Sequence, residues 1–209
     1  MNLAGIIAYC DLVAVGVFAA SGALAAAEKR LDVLGFVLFG TITGVGGGTL
    51  RDLLLQLPVF WISDVRYLWV CITVSALTWY IAPMLSVRRK VLLWADAMGL
   101  ALFSVLGCAK ALQYDAPWIV AVVMGVMSAS FGGLIRDTLL GRESVLLGAE
   151  IYVTAALVGA GMYVALVSNA FLEPSAALLL AMVPAFILRA GAIQAGWHLP
   201  SYRRLGNGP

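Results

Sequence analysis

The chain has 209 residues, of which 63% are hydrophobic and 11% are charged, and its formal net charge is +2. Soluble domains carry charge on about a quarter of their residues, so this composition excludes an ordinary soluble protein and indicates an integral membrane protein. The few cations lie near the ends of apolar segments instead of on one basic face, which argues against nucleic acid as a partner.

Seven apolar segments predict seven membrane-spanning helices. A helix needs about 20 apolar residues to cross the hydrocarbon core of a bilayer. Segments of suitable length lie at about 4–27, 33–56, 66–85, 91–112, 117–140, 145–168 and 175–196. The expected fold is therefore an all-α integral membrane protein. The loops between these segments are too short for a soluble domain, so residues 1–209 are expected to form a single membrane domain.

The loop cations predict how the helices are oriented. Positively charged loops remain on the cytoplasmic side of a membrane. Most of the cations follow odd-numbered spans: Lys29, Arg30, Arg88, Arg89, Lys90, Arg142, Arg203 and Arg204. The N-terminus is therefore predicted outside and the C-terminus in the cytoplasm. The expected location is the plasma membrane, which is the inner membrane of a bacterium, as a multi-pass protein.

The cysteines and the single histidine do not suggest a reactive site. Cys10, Cys71 and Cys108 lie in apolar segments without CxxC spacing, and His198 follows the last span. This pattern offers neither a disulfide framework nor a metal site, and no catalytic constellation can be assembled around His198. We therefore expect no enzymatic activity, no metal ion and no cofactor.

A glycine-rich motif occurs twice in the chain. Residues Gly44–Leu55 recur as Ala129–Leu140, and both segments contain Gly-Gly-x-x-Arg-Asp. The same offset of 85 residues relates Asp11 to Asp96. Apolar identities arise easily by chance in such a chain, but matched glycine, arginine and aspartate residues do not. The motif therefore indicates an internal duplication.

The duplication predicts an inverted repeat. The first copy covers about 4–85 and the second about 91–168, so each copy holds three spans. An odd number of crossings forces the second copy to insert upside down relative to the first. The seventh helix, at about 175–196, lies outside the duplication.

The repeated charges lie within apolar segments, where an unpaired charge is costly. At about 1.5 Å per residue, Asp11 and Arg51 fall at similar depths, and Asp96 and Arg136 have the same relation in the second copy. We therefore predict two intramembrane ion pairs or hydrogen-bonded networks, Asp11 with Arg51 and Asp96 with Arg136. The alternative is that these charges only brace the helices.

The glycines admit two interpretations. Gly40, Gly44 and Gly48 are four residues apart and form a stripe where another helix can pack closely. The triplet Gly46, Gly47 and Gly48 exceeds what packing requires, and it favours a kink or short break that frees backbone groups for water or ions. The corresponding second-copy residues are Ser128, Ser130, Phe131, Gly132 and Gly133.

Three other intramembrane charges accompany these glycines. Asp52 and Asp137 follow the two arginines directly, and Lys110 lies near the outer end of the fourth span. Lys110 could line a vestibule, although a lysine at a helix end usually extends its ammonium to the interface. Arg189 in the last span could reach the interface, a lipid headgroup or another subunit.

The paired motifs at Gly47–Asp52 and Gly132–Asp137, in seven spans of three plus three plus one, resemble the trimeric intracellular cation channel family, in its prokaryotic form. The resemblance implies a pore in each subunit of a homotrimer, surrounded by the second and fifth helices, and conduction of potassium and sodium. The kink positions carried over by motif are Gly46, Gly47, Gly48, Gly132 and Gly133, and the adjoining charges are Arg51, Asp52, Arg136 and Asp137. Animal members bind phosphoinositide near a lysine-containing motif, which this sequence lacks.

Three functions remain open at this point. A passive channel for monovalent cations fits the family resemblance, provided that the aspartates neutralise the arginines. A secondary transporter of a small zwitterion such as glycine fits the same residues, because arginine could hold a carboxylate and aspartate an amine. A structural or lipid-binding oligomer would need only the glycine stripes. The expected partners are monovalent cations, membrane lipids and two further copies of the chain.

Overall fold

The computed structural model describes residues 3–85, 88–142, 151–169 and 172–197, and this part of the chain contains helices and no strand. The helices are α1 (Leu3–Glu28), α2 (Val33–Leu54), α3 (Phe60–Ser63), α4 (Arg66–Ile81), α5 (Arg88–Gln113), α6 (Trp118–Leu139), α7 (Val153–Ser168) and α8 (Pro174–Ala195). A 3₁₀ turn at Ala82–Met84 follows α4.

The long helices confirm the predicted all-α membrane fold. Six of them are long and apolar enough to cross a bilayer, and α7 is a shorter apolar helix. The predicted start of the sixth span, at 145, lies outside the described residues, and the observed helix begins at Val153. The single turn α3 was not predicted, because four residues carry no helical periodicity.

The helices α2 and α6 end in the same way, two residues after the Arg-Asp pair. Gln56 and Gly141, which are 85 residues apart, both adopt the left-handed conformation, with φ of 56° and 60°. The following amide donates to the carbonyl of Asp52 at 2.8 Å, and the equivalent bond to Asp137 is 2.9 Å. Such bonds close a helix by satisfying its last carbonyls. The two motifs therefore occupy the last turns of equivalent helices.

The centre of the molecule is the contact between α1 and α5. Phe18 and Phe103, which are equivalent residues of the two repeats, stack with ring centroids 5.3 Å apart and both are buried. Around this contact, α1 packs against α2 and α4, while α5 packs against α6 and α7. Helix α8 covers α5 and α7 from outside.

Packing inside one repeat recurs inside the other. A Cβ atom built on Gly22 would lie 2.5 Å from Thr43 Oγ1, and one built on Gly107 would lie 2.5 Å from Ser128 Oγ. The 85-residue offset relates Gly22 to Gly107 and Thr43 to Ser128. The absence of a side chain at these glycines thus lets α1 approach α2, and α5 approach α6, in the same register.

The helices α2 and α6 meet backbone to backbone across the two repeats. A Cβ atom on Gly47 would overlap the Ser128 carbonyl oxygen, and one on Gly132 would overlap the equivalent Thr43 carbonyl oxygen. Both helices continue as α-helix through their glycines. The expected break is therefore absent, because close helix packing already accounts for these glycines; a bend within a continuous helix stays a prediction.

Two side-chain contacts show which helix ends lie next to each other. Arg142 Nη1 lies 3.3 Å from Glu28 Oε2, which joins the end of α6 to the end of α1. Lys110 Nζ lies 3.0 Å from Asp52, which joins the end of α5 to the end of α2. Because α2 returns across the molecule from the end of α1, the two junctions lie at opposite ends. These contacts are the ones expected of an inverted repeat.

The α2–α6 contact predicts that alanine substitutions at two neighbouring glycines change the free energy of unfolding by different amounts. We expect Gly47→Ala to lower the free energy of unfolding by about 1–3 kcal/mol, because the added methyl group meets rigid backbone. Gly46→Ala is the matched control, since its Cβ would meet Ile135 at 3.4 Å and Gly132 Cα at 3.6 Å, which are ordinary contacts. Unfolding by SDS in detergent micelles measures both, and equal losses would contradict this packing.

Candidate functional site

Both Arg-Asp pairs lie in the protein interior. Arg51 and Arg136 are each only 1% exposed, and Asp52 and Asp137 are equally buried. Charges at this depth must be compensated by neighbours, since neither lipid nor bulk water is available to solvate them. The surroundings of each pair therefore determine what it can do.

The first group of charges centres on the Asp52 carboxylate. Its Oδ1 accepts a hydrogen bond from Arg51 Nε at 2.9 Å, and its Oδ2 accepts one from Lys110 Nζ at 3.0 Å. The same Oδ2 accepts the backbone N–H of Phe60 at 3.0 Å. We call Asp11, Arg51, Asp52, Phe60 and Lys110 the Asp52 cluster. Lys110 thus lines the cluster and is not extended to the interface.

Asp11 belongs to this cluster without the predicted direct ion pair. It is 6% exposed and lies within electrostatic range of Arg51, Lys110 and Asp52. The ion pairs among the described residues instead join Arg51 to Asp52. The expectation of a direct Asp11–Arg51 pair is therefore wrong, because the guanidinium turns to the adjacent carboxylate on its own helix. Within the described part of the chain, Asp11 Oδ1 has no hydrogen-bond partner.

The second group of charges centres on Asp96 and Arg136, which the structure brings together as expected. Arg136 Nη1 donates to Asp96 Oδ1 at 3.0 Å, and Arg136 Nε donates to Asp137 Oδ1 at 2.8 Å. The Ser21 hydroxyl contacts both Arg136 Nη1 and Asp96 Oδ1. We call Ser21, Asp96, Arg136, Asp137 and Tyr152 the Asp96 cluster.

Equivalent carboxylates in the two clusters share one property. Asp11 Oδ1 and Asp96 Oδ2 are both buried and have no hydrogen-bond partner among the described residues. A buried carboxylate oxygen without a partner costs about 1–3 kcal/mol or more, and such groups are normally satisfied by ordered water or an ion. A buried oxygen without a partner occurs at both repeat-related aspartates, so it belongs to the architecture that the two repeats share.

Tyr152 completes the Asp96 cluster and connects it to the last helix. Its hydroxyl donates to the Ala129 carbonyl at 3.5 Å, and the guanidinium carbon of Arg189 lies 5.1 Å from its ring centroid. Arg189 is fully buried, so it does not extend to the interface. A cation over an aromatic face is stabilised by the ring quadrupole, so α8 contributes to the electrostatics of this cluster.

The remaining predicted residues lie on α2 and α6 and mainly pack helices. A Cβ atom built on Gly44 would lie 3.0 Å from both Cys71 Sγ and the Val15 carbonyl oxygen, and one on Gly48 would meet the Phe60 ring. The hydroxyls of Ser128 and Ser130 donate to carbonyls one turn earlier in their own helix, both at 2.7 Å. Phe131 is partly exposed.

Some site residues were not found from the sequence. Tyr152 is related to Tyr67 by the repeat offset, which was a usable signal. Ser21 directly precedes Gly22, but no rule assigns a serine in an apolar helix to a distant arginine. Phe60 lies in a short connection without periodicity, and only the fold places it on the charges.

The two clusters predict different coupling energies. Removing one partner of a buried ion pair costs about 3–5 kcal/mol. A double-mutant cycle of Asp96→Asn and Arg136→Gln should therefore give a coupling of about 1–3 kcal/mol, because the groups bond directly. The cycle of Asp11→Asn and Arg51→Gln should give a smaller coupling. SDS unfolding measures both cycles, and a larger value for Asp11 with Arg51 would overturn the assignment.

Comparison with known proteins agrees with this geometry. A family model described as glycine transporter matches the chain twice, over residues 8–83 and 93–168, so the two matches begin and end 85 residues apart. The UPF0126 inner membrane protein YadS of Escherichia coli K12 is 38% identical over 197 residues, with 91% of this chain and 92% of YadS covered.

Solved structures extend the comparison to three dimensions. The trimeric intracellular cation (TRIC) channel orthologue from Rhodobacter sphaeroides is 44% identical, with a TM-score of 0.87 over 92% of this chain and 99% of that one. A prokaryotic TRIC channel in 0.5 M KCl is 28% identical, with a TM-score of 0.87 over 94% of this chain and all of that one. With this identity and coverage, and with the motif doubled in equivalent helices, the chain belongs to the trimeric intracellular cation channel family as a prokaryotic member.

Proposed function

We propose that the protein is a passive channel for the monovalent cations potassium and sodium, with one pore in each subunit of a homotrimer. The pore follows α2 and α6 and passes both charged clusters. The protein resides in the bacterial inner membrane, among lipids that surround its apolar helices, with its N-terminus outside and its C-terminus in the cytoplasm. The solved relatives described as cation channels support this assignment.

The observation that carries the proposal is the pair of buried carboxylate oxygens at Asp11 and Asp96. Each repeat offers one buried carboxyl oxygen without a hydrogen-bond partner among the described residues. Hydrated potassium or sodium is attracted to such an oxygen, and two sites in sequence permit entry and exit without tight binding. Inverted repeats place one site toward each side of the membrane.

The charges of each cluster also balance, which removes an electrostatic obstacle to cations. Arg51 is neutralised by Asp52, and Arg136 bonds to both Asp96 and Asp137. In formal charges, the Asp52 cluster has two carboxylates and two cations, and the Asp96 cluster has two carboxylates and one arginine, with Arg189 beside it over the Tyr152 ring. The repulsion that unpaired arginines would exert on a cation is therefore compensated within each cluster.

In the proposed channel, a bend at the glycines of α2 and α6 opens the pathway. The backbone contact between Gly47 and Ser128, and its repeat equivalent, holds α2 and α6 together at their middle. Gly46, Gly47, Gly48, Gly132 and Gly133 lower the helical stability of these segments by about 1 kcal/mol each relative to alanine. We expect conduction to require separation of α2 and α6 by bending there.

The second candidate is a carrier of a zwitterion, which the name of the matching family model suggests. A carrier would use the arginines to bind the substrate carboxylate. In the structure, the guanidinium groups of Arg51 and Arg136 already bind carboxylates of the protein. A substrate would have to displace those bonds, so the channel agrees better with the observed geometry.

Electrical recording of the purified protein in a planar bilayer tests the proposal. Under a KCl gradient, we expect unitary current steps that reverse near the potassium equilibrium potential. Asp11→Asn and Asp96→Asn should each lower the unitary conductance several-fold, because each removes the negative charge that attracts the cation. Saturable glycine uptake without unitary steps would contradict the channel and favour the carrier.

Asp64→Asn is the matched control for these substitutions. Asp64 binds Arg66 through both carboxylate oxygens outside the spans, and this pairing holds the pKa of the Asp64 carboxyl below its usual value. The control thus removes a carboxylate that is ionised at neutral pH and pairs with Arg66, not with a charged residue of either cluster among the described residues. We expect its conductance to equal that of the unmodified protein.

A further inference from the structure

We infer that Phe60 is the residue that closes the pathway at the Asp52 cluster. The inference rests on the proposed channel function, and it assigns a role to the short helix α3. This helix lies between α2 and α4 and follows directly on the end of α2 that carries the Arg-Asp pair.

Phe60 is the inward-facing member of a largely exposed segment. Gln56, Pro58, Ile62 and Ser63 are exposed, whereas Phe60 is only 8% exposed. An aromatic side chain that turns away from such a segment must find its contacts among the helices beneath. The segment therefore projects one apolar ring onto the end of α2.

The ring covers the charges of the cluster. Its centroid lies 5.9 Å from the guanidinium carbon of Arg51 and 5.7 Å from Lys110 Nζ. Tyr67 supports it from the side in an edge-to-face contact at 4.7 Å. A Cβ atom on Gly48 would lie 2.7 Å from the ring, so the glycine provides the space that the ring fills.

Two hydrogen bonds fasten the segment to α2. The Phe60 N–H donates to Asp52 Oδ2 at 3.0 Å, and Trp61 Nε1 donates to Thr49 Oγ1 at 2.8 Å. Thr49 and Asp52 are about one helical turn apart, so the bonds hold the segment at two neighbouring points. The first bond is accepted by the Asp52 carboxylate, which also binds Arg51 and Lys110. A rearrangement of these charges would therefore also move the Phe60 ring.

An apolar ring in this position obstructs a hydrated cation. A hydrophobic constriction excludes water from a narrow pathway and closes it to ions without any charged barrier. At Gly133, which the repeat offset relates to Gly48, the atoms nearest to a Cβ position are instead Tyr152 Oη, Asp96 Oδ1 and Arg136 Nη2, at 3.4–3.6 Å. An aromatic ring thus fills the space beside Gly48, whereas polar atoms lie beside Gly133.

Bilayer recordings of Phe60→Ala and Phe60→Leu test the inference. We expect Phe60→Ala to raise the open probability or the unitary conductance several-fold, and Phe60→Leu to raise it less, because leucine retains part of the apolar volume. Phe36→Ala is the matched control, since Phe36 is a buried phenylalanine near the opposite end of α2. Channels of folded Phe60→Ala and Phe60→Leu that behave like the unmodified protein would overturn the inference. If Phe60→Ala is not monodisperse in detergent, Phe60→Leu alone decides.

A chemical readout separates this inference from the channel function. Asp11→Cys, in a chain whose three native cysteines are replaced by alanine, reports access of a charged, membrane-impermeant methanethiosulfonate reagent to the cluster. Phe60→Ala should accelerate its modification several-fold. If the unmodified protein carries no current but modification accelerates, the channel proposal fails and the closure by Phe60 stands. Currents with no change in either readout mean that Phe60 does not close the pathway.

Discussion

The structure depends on the neutralisation of two arginines that lie inside membrane-spanning helices. Neither lipid nor bulk water can solvate these guanidinium groups, so each requires carboxylates at bonding distance. The adjacent aspartate on the same helix meets part of this requirement. Arg136 receives a second carboxylate from Asp96 on α5, and Arg51 lies near the Phe60 ring of α3. The positions of α1, α5 and α3 around α2 and α6 follow from this constraint as much as from apolar packing.

The glycines make this arrangement sterically possible. Because no side chain separates Gly47 from the Ser128 backbone, or Gly132 from the Thr43 backbone, α2 and α6 approach closely enough for both clusters to lie near one interface. In lipid there is no hydrophobic driving force between helices, so close backbone packing supplies much of the attraction. By intrinsic propensity, the same glycines also lower the resistance of these helices to bending.

Much of this structure followed from the sequence, because the signals were long or repeated. Seven apolar segments sufficed for the fold, and the recurrence of arginine, aspartate and glycine located both clusters. The carboxylate that pairs with Arg51 could not be predicted from the sequence, since depth along a helix does not specify which way a flexible side chain turns. The contact of Phe60 with the charges did not follow either, because it depends on a four-residue turn whose path is set by tertiary contacts. The expected break in α2 and α6 is absent because close helix packing outweighs the low intrinsic helix propensity of glycine.

The exchange of side chains between repeats has a consequence for how the protein is made. Lys110, from the second repeat, compensates Asp52 in the first, and Ser21, from the first repeat, contacts Arg136 in the second. A nascent chain that has inserted only its first three spans therefore carries an incomplete set of countercharges. We therefore expect those spans to reach their final electrostatic environment only when the fourth span has inserted.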